Sequence, residues 1–326
     1  MFEFTSPTTL DDALQLWHER ARWYAGGTDL IPETRSGFEM PARLINLKQI
    51  EELRGIIESK DVRSERLDGV RIGALTTLTE IAESKIIREK YRALAQACEL
   101  SASPQIRNAG TIGGNLNQNS VCAYYRGDFK CWLKGGDTCF MRDGENTHAA
   151  LIGYNDCVHA HPSDPAAALV ALDAKIFVRG RAGSREIAAA DFFRAPTAEN
   201  KRLNALQADE IITIIHLPIA AHSRSAFLKA MDRAAFTHAI VSAAVRLDFA
   251  GEIISAARIV LGGVAPAPWR ETRVEEVLVG QILSEQLAAR AADAALQDAK
   301  PLAHNAYKIR LARVLLKRAI LAASRA

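Results

Sequence analysis

Four of the five cysteines in this 326-residue chain fall within 36 positions: Cys122, Cys131, Cys139 and Cys157, separated by eight, seven and seventeen residues. Thiolates are soft ligands, and four of them can complete the coordination of one iron–sulfur cubane, one cysteine per iron. Just before them stands a diglycine turn, Thr111-Ile112-Gly113-Gly114-Asn115. A second one, Ala25-Gly26-Gly27-Thr28-Asp29-Leu30-Ile31-Pro32, begins 86 positions earlier. Paired glycines at a strand end let backbone N–H groups turn towards one point, a geometry that binds phosphate. Two such turns, each beside a threonine, fit one extended ligand with two phosphates and a ribityl chain. A phosphate cradle next to soft ligands points to two redox cofactors held close together. Neither turn is GxGxxG followed by an acidic residue, so a Rossmann nicotinamide site is not expected.

Other uses of the cysteines compete. Structural zinc usually shows a CxxC-like knuckle, and none is present. Two disulfides would need an oxidising compartment. His148, His159 and His161 are candidate substitutes for a cysteine ligand. Lys130 and Lys134, with nearby N–H groups, can offset thiolate charge. Cys98 falls in a predicted helix and reads as a small buried hydrophobe.

The bulk numbers exclude several classes. The chain is 48% hydrophobic and 24% charged, with a formal net charge of +3, which suits ordinary cores and argues against nucleic acid. It contains no apolar run of eighteen residues, so no membrane span is expected. The start, MFEFTSPTTLDDALQLW, carries acids where an export signal needs bases. The expected location is therefore the cytoplasm, or the periplasm if an exported partner carries the chain.

Secondary structure must position these groups. Thr8 or Thr9 caps a helix over 10–20, with Asp11 and Asp12 suiting its dipole. Strands are expected at 22–24, 43–47 and 69–73, a Thr-capped helix at 77–84 and another at 90–101. Ser163-Asp164-Pro165 opens a further helix. Alternating stretches at 226–230, 239–249 and 255–261 read as antiparallel strands, followed by helices at 284–299 and 306–325. Lys308, Arg310, Arg313, Lys317, Arg318 and Arg325 are expected on the solvated side of the last helix, or against an acidic partner.

AGGTDL at 25–30, TIGGNL at 111–116, HPSDPAAALVALDA at 161–174 and DEIITIIHLP at 209–218 together resemble the FAD-binding subunit of the molybdenum hydroxylases. That family includes xanthine dehydrogenases, carbon monoxide dehydrogenase, aldehyde oxidoreductases and 4-hydroxybenzoyl-CoA reductase. The resemblance spans essentially the whole chain. It implies an α+β FAD-binding fold of the vanillyl-alcohol oxidase type in two subdomains, 1–58 and 59–220, with an iron–sulfur loop at about 117–160, and a C-terminal α+β domain at 221–326.

The same resemblance implies roles. Ala25 to Pro32 would wrap the pyrophosphate, and Thr111, Gly113, Gly114 and Asn115 would form a second wall, with Ser101 nearby. Asp164 would accept from ribityl or ribose hydroxyls, Ile212 would pack on a ring of FAD, and Lys229 would lie near the flavin's polar edge. No catalytic side chain is implied. Cys122, Cys131, Cys139 and Cys157 match the subset with an extra [4Fe-4S] cluster, and the long last gap resembles the aldehyde oxidoreductase branch. Partners would be a molybdenum-cofactor large subunit, a [2Fe-2S] small subunit, in a heterotrimer or a dimer of heterotrimers, and an external electron carrier. The alternatives are a complex of the 4-hydroxybenzoyl-CoA reductase or xanthine and N-heterocycle dehydrogenase type, a stand-alone flavin oxidase or dehydrogenase with structural zinc, and a zinc-stabilised assembly module without flavin.

Overall fold

The computed structural model describes residues 2–37, 40–59, 68–219 and 222–325. The expected boundary at 220/221 lies outside the described residues. The first unit is a small parallel sheet in the order β1 (Glu3–Thr5), β3 (Arg43–Asn46), β2 (Ala21–Tyr24). Helices α1 (Leu10–Leu16) and α2 (Leu30–Arg35) make its crossovers. Thr9 caps α1 by accepting the Asp12 N–H, and Leu10, Ala13 and Leu14 face inward on Ala21, Ile45 and Leu47.

A five-stranded antiparallel sheet follows, in the order β4 (Ile56–Ser59), β5 (Gly69–Gly73), β8 (Ile211–Pro218), β6 (Lys175–Gly180), β7 (Gly183–Ala188). β4 pairs antiparallel with β5 at this sheet's edge. Helices α3 (Leu78–Glu83), α4 (Lys85–Lys90) and α5 (Arg92–Glu99) cover this sheet. Thr77 and Glu80 form a capping box at α3, a device that contributes about 1 kcal/mol. Short helices α6 (Pro104–Ala109), α7 (Ile112–Leu116), α8 (Ala123–Arg126) and α9 (Phe140–Asp143) punctuate the connection to α10 (Asp164–Ala171), and α11 (Ala189–Phe192) follows β7.

All eight residues of α10 are buried. The helix packs on α5 and on the C-terminal sheet, so it joins the two halves. That sheet is antiparallel, in the order β12 (Trp269–Arg270), β11 (Ile253–Gly262), β10 (Val241–Ala250), β9 (Ser223–Ala230). Helices α12 (Thr272–Leu278), α13 (Glu285–Asp293) and α14 (Tyr307–Ser324) close a second core over it. The mixed helix-and-sheet class and the antiparallel C-terminal sheet match expectation. Lys308 does not: it is fully buried rather than solvated. Among the described residues no helix is long and apolar enough to cross a membrane.

Candidate functional site

The first glycine turn leaves β2 at Tyr24 and enters α2 at Leu30. Gly27 adopts φ +70°, and a Cβ there would come within 2.5 Å of the Tyr24 ring. A Cβ on Gly26 would stand 2.3 Å from the Ala109 carbonyl oxygen. The two glycine turns therefore touch backbone to backbone, which only glycine permits at this spacing. Among the described residues, the N–H groups of Gly26, Gly27, Thr28 and Asp29 find no hydrogen-bond acceptor. Four consecutive unpaired donors at a helix entry form a nest suited to an anion.

The second stretch is a one-turn helix, α7, rather than the open turn expected. Thr111 caps it by accepting the Gly114 N–H at 3.2 Å. The Gly113 and Asn115 N–H groups donate to Ala74 and Thr111 carbonyls, so this wall offers shape more than donors. Gly113 is flat against Ala74, while a Cβ on exposed Gly114 would meet only the Thr111 hydroxyl, at 3.0 Å. Asn115 Oδ1 accepts from the Ser163 hydroxyl at 2.5 Å, which links the wall to α10.

There Asp164 meets Lys229 at 2.7 Å, both buried. Lys229 Nζ also donates to the Leu100 and Thr237 carbonyls, so it is not the free solvated lysine usual on a strand. Burial pushes the Asp164 carboxyl up to about 6, against the pull of Lys229 and of the Ser101 hydroxyl. Ser101, Asp164 and Lys229 thus form one cluster. Among the described contacts none joins Ile212 to it; Ile212 is a core residue of β8.

The four cysteines are free thiols, and all line one small cavity, of about 10 Å³, that opens partly to solvent. Cys122 precedes α8, Cys131 precedes the 3-10 turn Trp132–Lys134, and Cys139 precedes α9. Backbone N–H groups of Tyr124 and Tyr125 favour the thiolate of Cys122, and those of Val158, Met141 and Arg142 the thiolate of Cys139. Burial nevertheless pushes Cys122 up, and charge on Cys139 and Cys131 adds to it. Cys157 hydrogen-bonds to Cys139, holding Cys139 down at about 6 and itself well above the ordinary thiol range. Ionising all four at once would set like charges side by side, which a bound cationic centre would offset.

Among the described residues no three His, Cys, Asp or Glu groups converge closely enough for a single metal ion. The four sulfurs that line the cavity are soft donors, the type that iron–sulfur clusters take. Tyr124 and Phe140 line it, and Phe129 packs against both, with ring centroids 5.0 to 6.2 Å apart. Lys134 donates to the Gly127 carbonyl. Lys201 lies 4.4 Å over the Trp132 ring and donates to its carbonyl.

The histidines separate clearly. His148 is exposed, 4.0 Å from Asp232. His161 accepts the Ser163 N–H and packs edge-on to Phe193. His159 is buried and lines the cysteine cavity, and burial pushes its imidazole down to about 4.

Arg126, Asn119 and Glu33 were not legible as site residues. Arg126 reaches Asp29 at 2.7 Å and Glu33 at 3.1 Å, and Asn119 donates to both carboxylates. The last residue of α8 is thereby braced against the glycine cradle. His238 also feels Lys229, Arg126 and Asp29, and desolvation first, then Lys229, push it below its ordinary range. At the far end of the cysteine loop, Lys308 donates to the carbonyls of His148, Ala149 and Gly263.

Comparison with known proteins bears on the whole chain. The family model of the FAD binding domain in molybdopterin dehydrogenase matches residues 1–220, and that of the CO dehydrogenase flavoprotein C-terminal domain matches residues 226–323. The aldehyde oxidoreductase FAD-binding subunit PaoB of Escherichia coli K12 is 32% identical over 94% of this chain and 92% of its own length. The nicotinate dehydrogenase FAD-subunit of Eubacterium barkeri is 33% identical over 87% of this chain and 81% of its own. A solved carbon monoxide dehydrogenase structure from Hydrogenophaga pseudoflava superposes with a TM-score of 0.76 at 28% identity, covering 99% of this chain and 97% of the other.

Proposed function

From the premise that this chain belongs to the FAD-binding medium subunits of the molybdenum hydroxylases, we propose that it holds FAD in the glycine cradle and a [4Fe-4S] cluster on Cys122, Cys131, Cys139 and Cys157, as the electron-transfer component of a heteromeric oxidoreductase. The observation that carries the cluster assignment is the convergence of four free cysteines on one cavity. When bound, the flavin exchanges two electrons with one-electron carriers and the cluster passes single electrons.

The chain's own groups supply binding and electrostatics. The free N–H groups of Gly26 to Asp29 would take the pyrophosphate, with Arg126 balancing the Asp29 and Glu33 carboxylates behind them. Ala25, Leu30, Ile31 and Pro32 would complete that wrap. Gly114, exposed beside Thr111, lets the ligand approach the wall that Gly113 and Asn115 shape. Asp164 would accept from a ligand hydroxyl with the oxygen Lys229 leaves free, Ser101 would stand beside it, and Lys229 would hold that carboxylate charged near the flavin's polar edge. Ile212 would back a ring from the core. Tyr124, Phe129 and Phe140 would exclude water from the thiolates.

The substrate would react on a molybdenum-cofactor large subunit. Electrons would pass through a [2Fe-2S] small subunit to this chain and on to an external carrier, or in reverse for a reductase. The seventeen-residue interval before Cys157 favours the aldehyde oxidoreductase type. Native complex purified without oxygen should contain, per copy of this chain, one flavin and about four iron and four acid-labile sulfide beyond those of the [2Fe-2S] subunit. Zinc without sulfide would favour the structural-zinc reading, and a colourless sample would end the proposal.

A further inference from the structure

We infer that His159 is a positioning residue that raises the reduction potential of the cysteine-held cluster by donating a side-chain N–H towards its sulfur. This rests on the cluster reading above. His159 is 1% exposed and lines the same cavity as the four cysteines. Among the described residues neither of its ring nitrogens meets hydrogen-bond geometry with a partner, although the Ala160 backbone lies near enough to favour the protonated ring against the larger effect of burial. An imidazole carries at least one N–H donor in either protonation state. A buried donor without an acceptor is costly and needs a reason. His161, two residues on, has both a hydrogen bond and a ring contact, so the orphaned ring is not a general property of this stretch.

His159 and the four cysteines line the same cavity, which brings soft acceptors to the side of the chain the residue faces. The backbone N–H of His159 already acts on the Cys157 sulfur, so residue 159 contributes to this cavity through both backbone and ring. Hydrogen bonds to cluster sulfur favour the reduced, more negative state and raise the potential.

The test compares His159→Leu, which removes the donor, with His159→Gln, which keeps one, in the purified complex. Iron, sulfide and flavin content are measured, then the cluster potential by titration followed by electron paramagnetic resonance. The expected result is full cofactor content in both variants, a lower potential in the Leu variant and a potential near wild type in the Gln variant. Pulsed resonance on the reduced wild type should show coupling to an exchangeable imidazole proton, a readout that does not depend on any variant folding. An unchanged potential in a fully loaded Leu variant, or no such coupling, overturns the inference. Loss of iron in both variants would make His159 a ligand and overturn it too. Wild-type protein without iron and sulfide would instead refute the cluster reading itself.

Discussion

The glycine cradle and the cysteine loop lie side by side and are built on opposite principles. The cradle is backbone: Gly26 presses on Ala109, Gly113 on Ala74, and sheets on both sides fix the geometry. The loop is side chain: among the described residues its own buried apolar cluster is Met141, Ala149 and Val158, and four free thiols converge on its cavity. A preorganised backbone site should keep its shape without its ligand. A site of side chains on short helices with a small apolar core should depend more on its occupant for order.

The largest expected effect tests the dependent side. Cys139→Ala should bring iron and sulfide towards zero and open residues 117–160 to protease, while flavin stays near one per chain when FAD is in excess. Flavin lost together with iron would show that the two regions fold as one. The converse variant is Gly26→Val. Its side chain would collide with the Ala109 carbonyl at 2.3 Å, so bound flavin should fall at least about tenfold with iron unchanged; normal flavin absorbance would break the comparison.

Lys229→Met sharpens the cradle side. It leaves the buried Asp164 carboxylate unpaired, at a cost of about 3–5 kcal/mol. Asp164 has a folded pKa of about 6, above the unfolded value of ~3.9. The native state therefore binds more protons between those values, and stability falls as pH rises through them. Without Lys229 that fall should deepen and extend to higher pH, which thermal unfolding at pH 5 and 8 would reveal. Adding Asp164→Leu should restore most of the loss.

The smallest effect concerns the loop's far anchor. Burial pushes Lys308 down to about 7, below the unfolded ~10.4. The unfolded state then binds more protons in that window, so stability rises with pH from 7 towards 10. Lys308→Met should flatten that rise, measured as the unfolding midpoint against pH, and should raise cleavage near Ala149.

What the sequence disclosed follows the same division. Rare residues at close spacing announce themselves, so the cysteine quartet and both glycine pairs were legible, as was the Thr77 cap. The burial of two lysines was legible in principle: Lys229 was expected at the site only through the resemblance, and Lys308 was expected in solvent. Lys308 falls on the apolar stripe with Ala312, Leu315 and Ala319, and Lys229 shares a strand face with Ser225 and Phe227. Composition alone hides them, because lysine is usually solvated; register reveals them. The Arg126 brace had no local signal, since its partners Asp29 and Glu33 lie over ninety positions away. Helix α7 was taken for a turn because Gly113 and Gly114 are poor helix formers, and packing against Ala74 overrides that preference.

Helix α8 has four residues. Its entry is Cys122 and its exit is Arg126, which grips Asp29 and Glu33. One turn rising about 6 Å and the Arg126 ion pairs therefore set the interval between Cys122 and the first glycine turn. The helical part of that interval is covalent and fixed, so only the ion pairs can give. Inserting a single residue in this turn would rotate Arg126 by about 100° and uncouple the two stations without altering any ligand.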